Sequence, residues 1–408
     1  MRILIATFGS LGDIYPYLAI SEKLNEQGAN VSFVTSTVHR ALIESAGHAF
    51  FPMRPEIIPD PVLLSRFMDE FQGGRYLLRD FLLPAIRNSY ADVMAAIPGH
   101  DVLVTQVAAF GGPLAARKTG IPWVSSVLAP LSFFSADDPS ALAAPLIGIR
   151  RRFPALTRMI NGLAQRATVT STAPVTKLAF ELGLTAAGNP IFEGQHSPRC
   201  VLALFSKHFA APQTDWPTTA VATGFPFRLP AQASPAVEQF LSSGPAPIVF
   251  TLGSSAVLSP GKFYELAQRS GHRALLLAGA EAANIRSTPD LLAVDYAPHS
   301  AVFPRALAIV HQGGMGTMSE ALRSGRPSLM VPFAHDQPDN AARCERLGVA
   351  RVLSRRALSI GNLKRALHSL LTGPAYRNAA VELAGKINRE NGAVEAARLI
   401  LQTQNALS

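Results

Sequence analysis

The sequence predicts an α/β protein with two doubly wound domains. Short apolar runs alternate with helix-like patterns in both halves of the chain, which is typical of parallel strands covered on both faces. A length of 408 residues exceeds what one compact core usually holds and favours two domains. A glycine-rich turn follows one apolar run in the second half, as expected where such a sheet binds a ligand.

Apolar runs in each half are predicted to be strands. They cover residues 3–7, 31–35, 102–105 and 123–127, and then 248–252, 274–278, 292–294, 308–311 and 328–331. We predict an N-terminal domain of residues 1–207 and a C-terminal domain of residues 208–373. Residues 208–235 are rich in Pro and Gly and are predicted to be the linker, with 221–223 as an alternative first strand of the second domain. Ligands bind beyond the carboxyl ends of such strands, so two facing domains would form a cleft.

Composition excludes several classes of protein. Hydrophobic residues make up 48% and charged residues 16% of the chain, which indicates a folded protein. Cys200 and Cys344 give neither a disulfide framework nor a metal-ligand spacing. We expect a cytoplasmic protein, because the start lacks the apolar region of a signal peptide and no run reaches the ~18 apolar residues of a membrane span. A net charge of +9 fits an anionic ligand, but without a basic helix with interleaved aromatics we expect no nucleic acid partner.

The most informative motif is the run from His311 to Glu320, which reads His-Gln-Gly-Gly-Met-Gly-Thr-Met-Ser-Glu. A strand, a glycine-rich turn and a helix in that order direct backbone N–H groups and a helix N-terminus to one point, which favours a phosphate group. His311 would donate to a diphosphate, with a structural histidine as the alternative. The other phosphate-binding candidates are Gly313, Gly314, Gly316, Thr317 and, after another predicted strand, Ser254.

Asp336 and Gln337 follow the next predicted strand. A carboxylate beside an amide suits sugar hydroxyl groups, and Asn340 lies one helical step further. The alternative is that Asp336 and Gln337 are N-terminal caps of a helix with Pro338 at its first position. A phosphate site and a hydroxyl site on adjacent turns predict a nucleotide sugar as the ligand.

Five motifs occur in a recognisable order along the chain. They are Phe-Gly-Ser-Leu-Gly-Asp-Ile-Tyr-Pro at 8–16, Thr-Leu-Gly-Ser at 251–254, Tyr-Ala-Pro-His at 296–299, the run at 311–320, and Pro-Phe-Ala-His-Asp-Gln-Pro-Asp-Asn at 332–340. With these motifs the chain resembles the GT-B nucleotide-sugar-dependent glycosyltransferases of the UDP-glycosyltransferase-like family, which include bacterial small-molecule transferases. Residues 209–217 and 223–226 look closest to the rhamnosyltransferase catalytic chain of rhamnolipid synthesis.

The resemblance implies two Rossmann-like domains that face each other across a cleft, with the donor in the C-terminal half. It implies that a C-terminal helical segment, 374–408, crosses back to the N-terminal domain. The reaction would be an inverting transfer of a hexose or deoxyhexose from a UDP- or dTDP-sugar co-substrate. We expect neither a metal nor another cofactor.

The resemblance also implies roles for three residues of the donor half. Tyr296 would stack on the nucleotide base, with a simple loop aromatic as the alternative. His299 stands where the family has Gln, so its contacts with base and ribose are open. Glu320 would hold the ribose hydroxyls, and the alternative is a capping box formed with Thr317.

Asp13 is the candidate general base. An acceptor hydroxyl must lose its proton as it attacks the anomeric carbon, and partial burial raises the pKa of a carboxylate into a useful range. The alternative is a helix N-cap. The resemblance offers a histidine base in this loop, but the first histidine of the chain is His39.

The acceptor is predicted to be an apolar small molecule or a lipid. Candidates for its pocket, each with packed core as the alternative, are Phe67, Phe71, Phe81, Phe133 and Phe134. The basic, patchily amphipathic segment from Arg150 to Arg166 has two interpretations. A solvated face over a packed helix is favoured, and the other is peripheral contact with the inner face of the cell membrane.

Two other functions remain open from the sequence. Nucleotide-sugar epimerases share this fold, although their carboxylate-rich pattern is not found in the first half. A non-catalytic partner subunit that binds a nucleotide sugar is the other alternative. The combination of Asp13, His311, Asp336 and Gln337 argues against it, because a degenerate subunit would be free to lose one of them. The oligomeric state stays open.

Overall fold

The computed structural model describes residues 1–57, 60–141, 147–185, 187–252 and 260–405. The chain forms two compact units. The first contains Met1–Phe67, Phe71–Arg228 and Asn391–Ser408, and the second contains Met68–Glu70 and Leu229–Glu390. Each unit is built on a parallel sheet with helices, so the predicted fold class is confirmed.

The first unit contains a seven-stranded sheet in the order β3-β2-β1-β4-β5-β6-β7. All neighbouring strands are parallel. The strand order reverses between β1 and β4, and ligands of such sheets bind at this switch point. The strands are β1 Arg2–Ala6, β2 Asn30–Thr35, β3 Ala49–Pro52, β4 Val102–Gln106, β5 Trp123–Val127, β6 Val201–Ala203 and β7 Ala220–Ala222.

Helices cover both faces of this sheet. They are α1 Leu11–Glu26, α2 Arg40–Ser45, α3 Pro61–Phe67, α4 Gly73–Arg75, a π-helix Tyr76–Leu82, α5 Ile86–Ala96, α6 Gly111–Thr119, α7 Ile147–Arg152 and α8 Pro154–Glu181. Within the described ranges, no helix combines the length and apolar content that crossing a bilayer would require.

The second unit contains a six-stranded parallel sheet in the order β10-β9-β8-β11-β12-β13. Its strands are β8 Ile248–Thr251, β9 Ala274–Leu277, β10 Leu291–Val294, β11 Ala308–His311, β12 Ser328–Met330 and β13 Ala350–Val352. Its helices are α9 Pro235–Ser242, α10 Pro260–Gln268, α11 His299–Val302, α12 Met315–Ser324, α13 Gln337–Arg346, α14 Ile360–Thr372 and α15 Pro374–Ile387. The motif at 311–320 therefore begins at the last residue of β11, and the motif at 332–340 follows β12.

Alternate residues of each strand face different cores. In β1, Ile3 and Ile5 lie in one apolar cluster and Leu4 in another. In β8, Ile248 and Phe250 likewise lie in a different cluster from Val249. A strand that is buried on both faces needs apolar residues at every position, which is why these strands read as continuous apolar runs.

The domain boundaries differ from the prediction in two places. Strand β7 pairs with β6 in the first sheet, so 221–223 does not open the second domain, and the first unit continues to Arg228 rather than to 207. Helix α15 stays with the second unit, where it packs on α12 and α14. Only the last helix, α16 Gly392–Asn405, belongs to the first unit, where it packs on α1. β6 and β7 are three residues each, too short to give a clear apolar pattern.

Candidate active site

Asp13 lies in the first turn of α1, directly after the carboxyl end of β1. Ser10 is the N-cap of this helix, and its Oγ accepts from the Gly12 N–H at 3.3 Å. Asp13 Oδ2 accepts from the Ser10 N–H at 2.8 Å and from Ser10 Oγ at 3.2 Å. The two residues form a reciprocal capping box, so the alternative role of N-cap falls to Ser10 and not to Asp13.

The surroundings of Asp13 set the pKa and the hydrogen bonds of its carboxylate. Burial raises the pKa of Asp13 to about 6, although the hydrogen bonds from Ser10 lower it. Gln106, at the end of β4, places its Nε2 3.4 Å from Asp13 Oδ1. Its Oε1 accepts from the Ala108 N–H at 2.9 Å, which fixes the orientation of the amide. A carboxylate with a pKa just below neutrality is ionised at pH 7 and can still accept a proton in a reaction.

Gly9 allows the tight turn before α1. Its φ is +141°, and a Cβ at this position would lie 2.2 Å from Asp13 Oδ2. A side chain here would therefore displace the carboxylate. The glycine at this place of the motif is explained by the close approach of the Asp13 side chain.

His311 is the last residue of β11 and is 1% exposed. Its Nδ1 accepts from the Gly313 N–H at 3.1 Å, so the proton of the neutral ring is on Nε2. The Nε2 atom is buried and has no hydrogen-bond partner among the residues that the structure describes. Burial, assisted by His299, lowers the pKa of His311 to about 3. A buried donor without a partner costs about 1–3 kcal/mol, which an anionic ligand at Nε2 would recover.

The glycine-rich turn continues from His311 into α12. Gly313 has a φ of +92°, and a Cβ there would lie 2.8 Å from Met330 Cε. Gly314 is the N-cap of α12 and provides no side-chain cap. The first N–H groups of the helix, which include those of Gly316 and Thr317, therefore receive no acceptor from the side chain of the N-cap residue. Such an uncapped N-terminus is suited to an anion.

Glu320 lies inside α12. The capping box predicted as its alternative role is wrong, because α12 begins at Met315 and Thr317 is already a helical residue. Burial raises the pKa of Glu320, although Arg323 lowers it. Its Oε2 lies 3.3 Å from Arg323 Nε. The ribose-binding role of Glu320 stays a prediction.

Asp336 and Gln337 open α13. Asp336 occupies the N-cap position but makes no side-chain cap. Its Oδ2 accepts from Asn340 Nδ2 at 2.8 Å, and the same Nδ2 donates to the Gly313 carbonyl at 2.9 Å. Gln337 is 4% exposed, and its Oε1 accepts from the N–H groups of Phe333 and Ala334. Asn340 thus joins the two motif turns.

Three other residues are predicted to bind the nucleotide sugar: Tyr296, His299 and Ser254. Tyr296 follows β10 and is 61% exposed. His299 begins α11 and stacks on Phe303 with ring centroids 4.4 Å apart. Burial lowers the pKa of His299 to about 4. Ser254 lies outside the described residues. Among the residues that are described, no group of three or more His, Cys, Asp or Glu could hold a metal ion.

The five phenylalanines proposed for an acceptor pocket fall into different surroundings. The Phe67 and Phe81 rings lie 5.1 Å apart, and Phe81 lies 6.3 Å from Phe8, which adjoins the Gly9 turn. The others differ from this pair and from one another: Phe71 is 68% exposed, Phe134 lies 4.2 Å from Phe192, and Phe133 stacks on Trp216 at 4.3 Å. Phe67 and Phe81 are thus the two that pack beside the Asp13 loop, whereas Phe133 fits the core alternative.

Two family models match this chain. Residues 3–122 match the glycosyltransferase family 28 N-terminal domain, and residues 273–400 match the C-terminal domain of erythromycin biosynthesis protein CIII-like proteins. The matches cover the Asp13 turn in the first unit and both motif turns in the second. The chain belongs to the GT-B glycosyltransferases of the UDP-glycosyltransferase-like family.

Curated relatives of this glycosyltransferase align over nearly its whole length. O-mycaminosyltylonolide 6-deoxyallosyltransferase of Streptomyces fradiae is 29% identical and covers 98% of this chain and 97% of its own. Vancomycin aglycone glucosyltransferase of Amycolatopsis orientalis is 28% identical, with the same coverage of 98% and 97%.

Solved structures share its fold. The glycotransferase of kitacinnamycin has a TM-score of 0.74 at 19% identity, with 98% of each chain covered. The glycosyltransferase VinC in complex with dTDP has a TM-score of 0.68 at 20% identity, with 100% of each chain covered.

Sequence reasoning missed two residues that support the Asp13 loop of this glycosyltransferase. One is Gln106. The other is His39, which is 5% exposed and whose Nε2–H donates to the Gly9 carbonyl at 2.9 Å. His39 follows β2 and Gln106 ends β4, the two neighbours of β1 in the sheet. The strand order is the signal that brings them together, because the carboxyl ends of adjacent parallel strands meet at one edge.

Proposed function

We propose that this glycosyltransferase is inverting and metal-independent, and that it moves a hexose or deoxyhexose from a UDP- or dTDP-sugar to a hydroxyl of an apolar small molecule or lipid. His311 is the observation that carries the proposal. Its Nε2–H is fixed as a donor and is buried without a partner among the described residues. It precedes a helix N-terminus whose N-cap is a glycine. Donors arranged in this way suit a diphosphate. The structural relative VinC was solved in complex with dTDP, which supports this ligand class.

The donor half would act on the leaving group. Negative charge develops on the nucleoside diphosphate as its bond to the anomeric carbon breaks. Fixed donors at His311 and at the first N–H groups of α12 stabilise that charge without reorganising. Asp336 and Gln337 would hold the sugar hydroxyls, and a sugar that leaves such a buried group unpaired loses about 1–3 kcal/mol.

The acceptor half would supply the base. The acceptor hydroxyl attacks the anomeric carbon, the bond to the diphosphate breaks, and Asp13 takes the hydroxyl proton. This single displacement inverts the configuration of the sugar carbon. The raised pKa of Asp13 supports the role, because a general base works best with a pKa near the working pH.

An apolar acceptor is supported by two observations. Phe8, Phe67 and Phe81 form an aromatic group beside the Asp13 loop. The two curated relatives are named for acceptors that are small molecules, O-mycaminosyltylonolide and the vancomycin aglycone.

Thermal shift with UDP-glucose, dTDP-glucose, dTDP-rhamnose, UDP and dTDP tests the proposal. A ligand that binds only the folded state raises the free energy of unfolding by about 2.7 kcal/mol at about 100 times its dissociation constant. We expect a selective shift that is lost in His311→Ala. Shifts of equal size in both proteins would contradict the phosphate site.

Acceptor assays with the selected donor then separate the alternatives. Transfer to an apolar acceptor is expected. Nucleoside diphosphate release with a changed sugar and no acceptor would instead support an epimerase. Donor binding without turnover on any acceptor would support a partner subunit.

A further inference from the structure

Helix α8 packs on the rest of the first unit through one face. Its buried residues are Thr157, Thr172, Val175, Leu178 and Ala179. The last three belong to the apolar core beneath the helix. A helix that buries one face in this way normally shows polar and charged residues on the opposite face.

The opposite face of α8 is instead largely apolar. At 3.6 residues per turn, Met159, Leu163, Val169 and Phe180 fall within a sector of about 120° on the side away from Val175. Their exposed fractions are 57%, 55%, 61% and 62%. The helix has 28 residues and is therefore about 42 Å long. Exposed apolar side chains repeated along one side of a long helix indicate an interaction surface.

The same side is basic. Arg166 and Lys177 are exposed and lie in the same sector. The segment 147–181 contains six basic residues and one acidic residue, Glu181. Glu181 is neutralised by Arg87, whose Nη2 lies 2.5 Å from its Oε2. Apolar side chains with Lys and Arg between them are typical of helices that lie in the interface of a lipid bilayer.

We propose that the outer face of α8, made of Met159, Leu163, Arg166, Val169, Lys177 and Phe180, binds the surface of an anionic lipid bilayer. The apolar side chains enter the boundary between headgroups and acyl chains, and the two basic side chains contact lipid phosphates. Charge decides between this partner and a second copy of the chain. Two copies of this face would bring Arg166 and Lys177 near like charges, which opposes association.

Co-sedimentation of the full-length protein with vesicles tests this surface. We expect binding to phosphatidylcholine vesicles that contain phosphatidylglycerol at low salt, and weaker binding to phosphatidylcholine alone or at high salt. Arg166→Ala with Lys177→Ala should weaken binding on the order of 30-fold, because each basic residue near an anionic surface contributes about fivefold. Leu163→Glu with Val169→Glu should abolish it.

Matched controls lie in the second unit. Leu229 is 72% exposed, and Arg286 and Lys364 are exposed basic residues. Leu229→Glu, and Arg286→Ala with Lys364→Ala, should leave vesicle binding unchanged.

Three results would overturn the proposal. They are no sedimentation with anionic vesicles at low salt, an equal loss of binding in the control variants, and a dimer in sedimentation velocity that the Leu163→Glu, Val169→Glu variant abolishes. The thermal shift with UDP and dTDP is measured on the same preparations. It reports folding and donor binding separately, so this inference can fail while the proposed reaction stands.

Discussion

Replacing Asp13 by Asn distinguishes its proposed role as general base from its structural role in the capping box with Ser10. The amide Oδ1 can still accept from the Ser10 N–H, so α1 keeps its first turn. The amide cannot take a proton from the acceptor hydroxyl. We expect turnover to fall by about 10²–10⁴-fold, the usual contribution of a general base.

The same substitution should stabilise the fold. Burial raises the pKa of Asp13 from its ordinary 3.8 to about 6, so the folded state holds this proton more tightly than the unfolded state does. The contribution of Asp13 to the free energy of unfolding is therefore fully present below pH ~4 and is lost as the pH rises through ~6. A shift of about 2 units corresponds to at most about 3 kcal/mol. Asp13 is partly exposed and solvent screens its charge, so we expect Asp13→Asn to be about 1–2 kcal/mol more stable at pH 7.5.

Urea unfolding at pH 7.5 and pH 5, together with steady-state turnover, measures both effects. The stability gain of Asp13→Asn should shrink to about half at pH 5, because part of the wild-type carboxylate is then protonated. Ser10→Ala is the control, since it removes the cap hydroxyl and leaves the carboxylate. It should lower stability by about 1 kcal/mol and keep most of the turnover. Retained turnover in Asp13→Asn would remove Asp13 from the mechanism, and a loss of stability at pH 7.5 would refute the burial argument.

Three further predictions concern the donor half. His311→Ala should weaken nucleoside diphosphate binding in calorimetry by about 1.5–3 kcal/mol, the value of a hydrogen bond to a charged group; unchanged affinity would contradict its role. Glu320→Gln should weaken donor binding without lowering the melting temperature, and the reverse result would argue against ribose binding. Gly313→Ala should destabilise the protein by more than Gly271→Ala in thermal unfolding. Both glycines have positive φ, but a Cβ at Gly313 would meet Met330 Cε, whereas one at Gly271 would meet no atom of the described residues within 4 Å. Equal losses would show that crowding at Gly313 is unimportant.

Much of the fold could be predicted from the sequence because its strands are buried on both faces. The runs that became β1, β8 and β11 are mostly apolar along their length, as strands covered by helices on both sides must be. The edge strands β7 and β13 each have three residues, and all three positions of β7 and two of β13 are at least partly exposed. A run of three residues is too short to show which sheet it joins, so the boundary at Arg228 could not be read from periodicity.

The site could be predicted where one motif supplies the whole geometry. The glycine turn from His311 to Thr317 is local in sequence, so its order of strand, turn and helix already predicted a phosphate site. The surroundings of Asp13 are not local. His39 and Gln106 reach the Asp13 loop only because β2 and β4 flank β1, and sequence spacing says nothing of that until the strand order is known.

Burial shifts the pKa values of Asp13 and His311 in opposite directions, which suits one as a proton acceptor and the other as a neutral hydrogen-bond donor. In both cases it disfavours the charged form. For Asp13 this raises the pKa to about 6, so the carboxylate is ionised at neutral pH but takes up a proton readily. For His311 it lowers the pKa to about 3, so the ring is neutral near pH 7, with Nδ1 accepting from the Gly313 N–H and the proton on Nε2. The acid limb of the pH–rate profile should therefore follow Asp13 and not His311, with turnover falling below pH ~6.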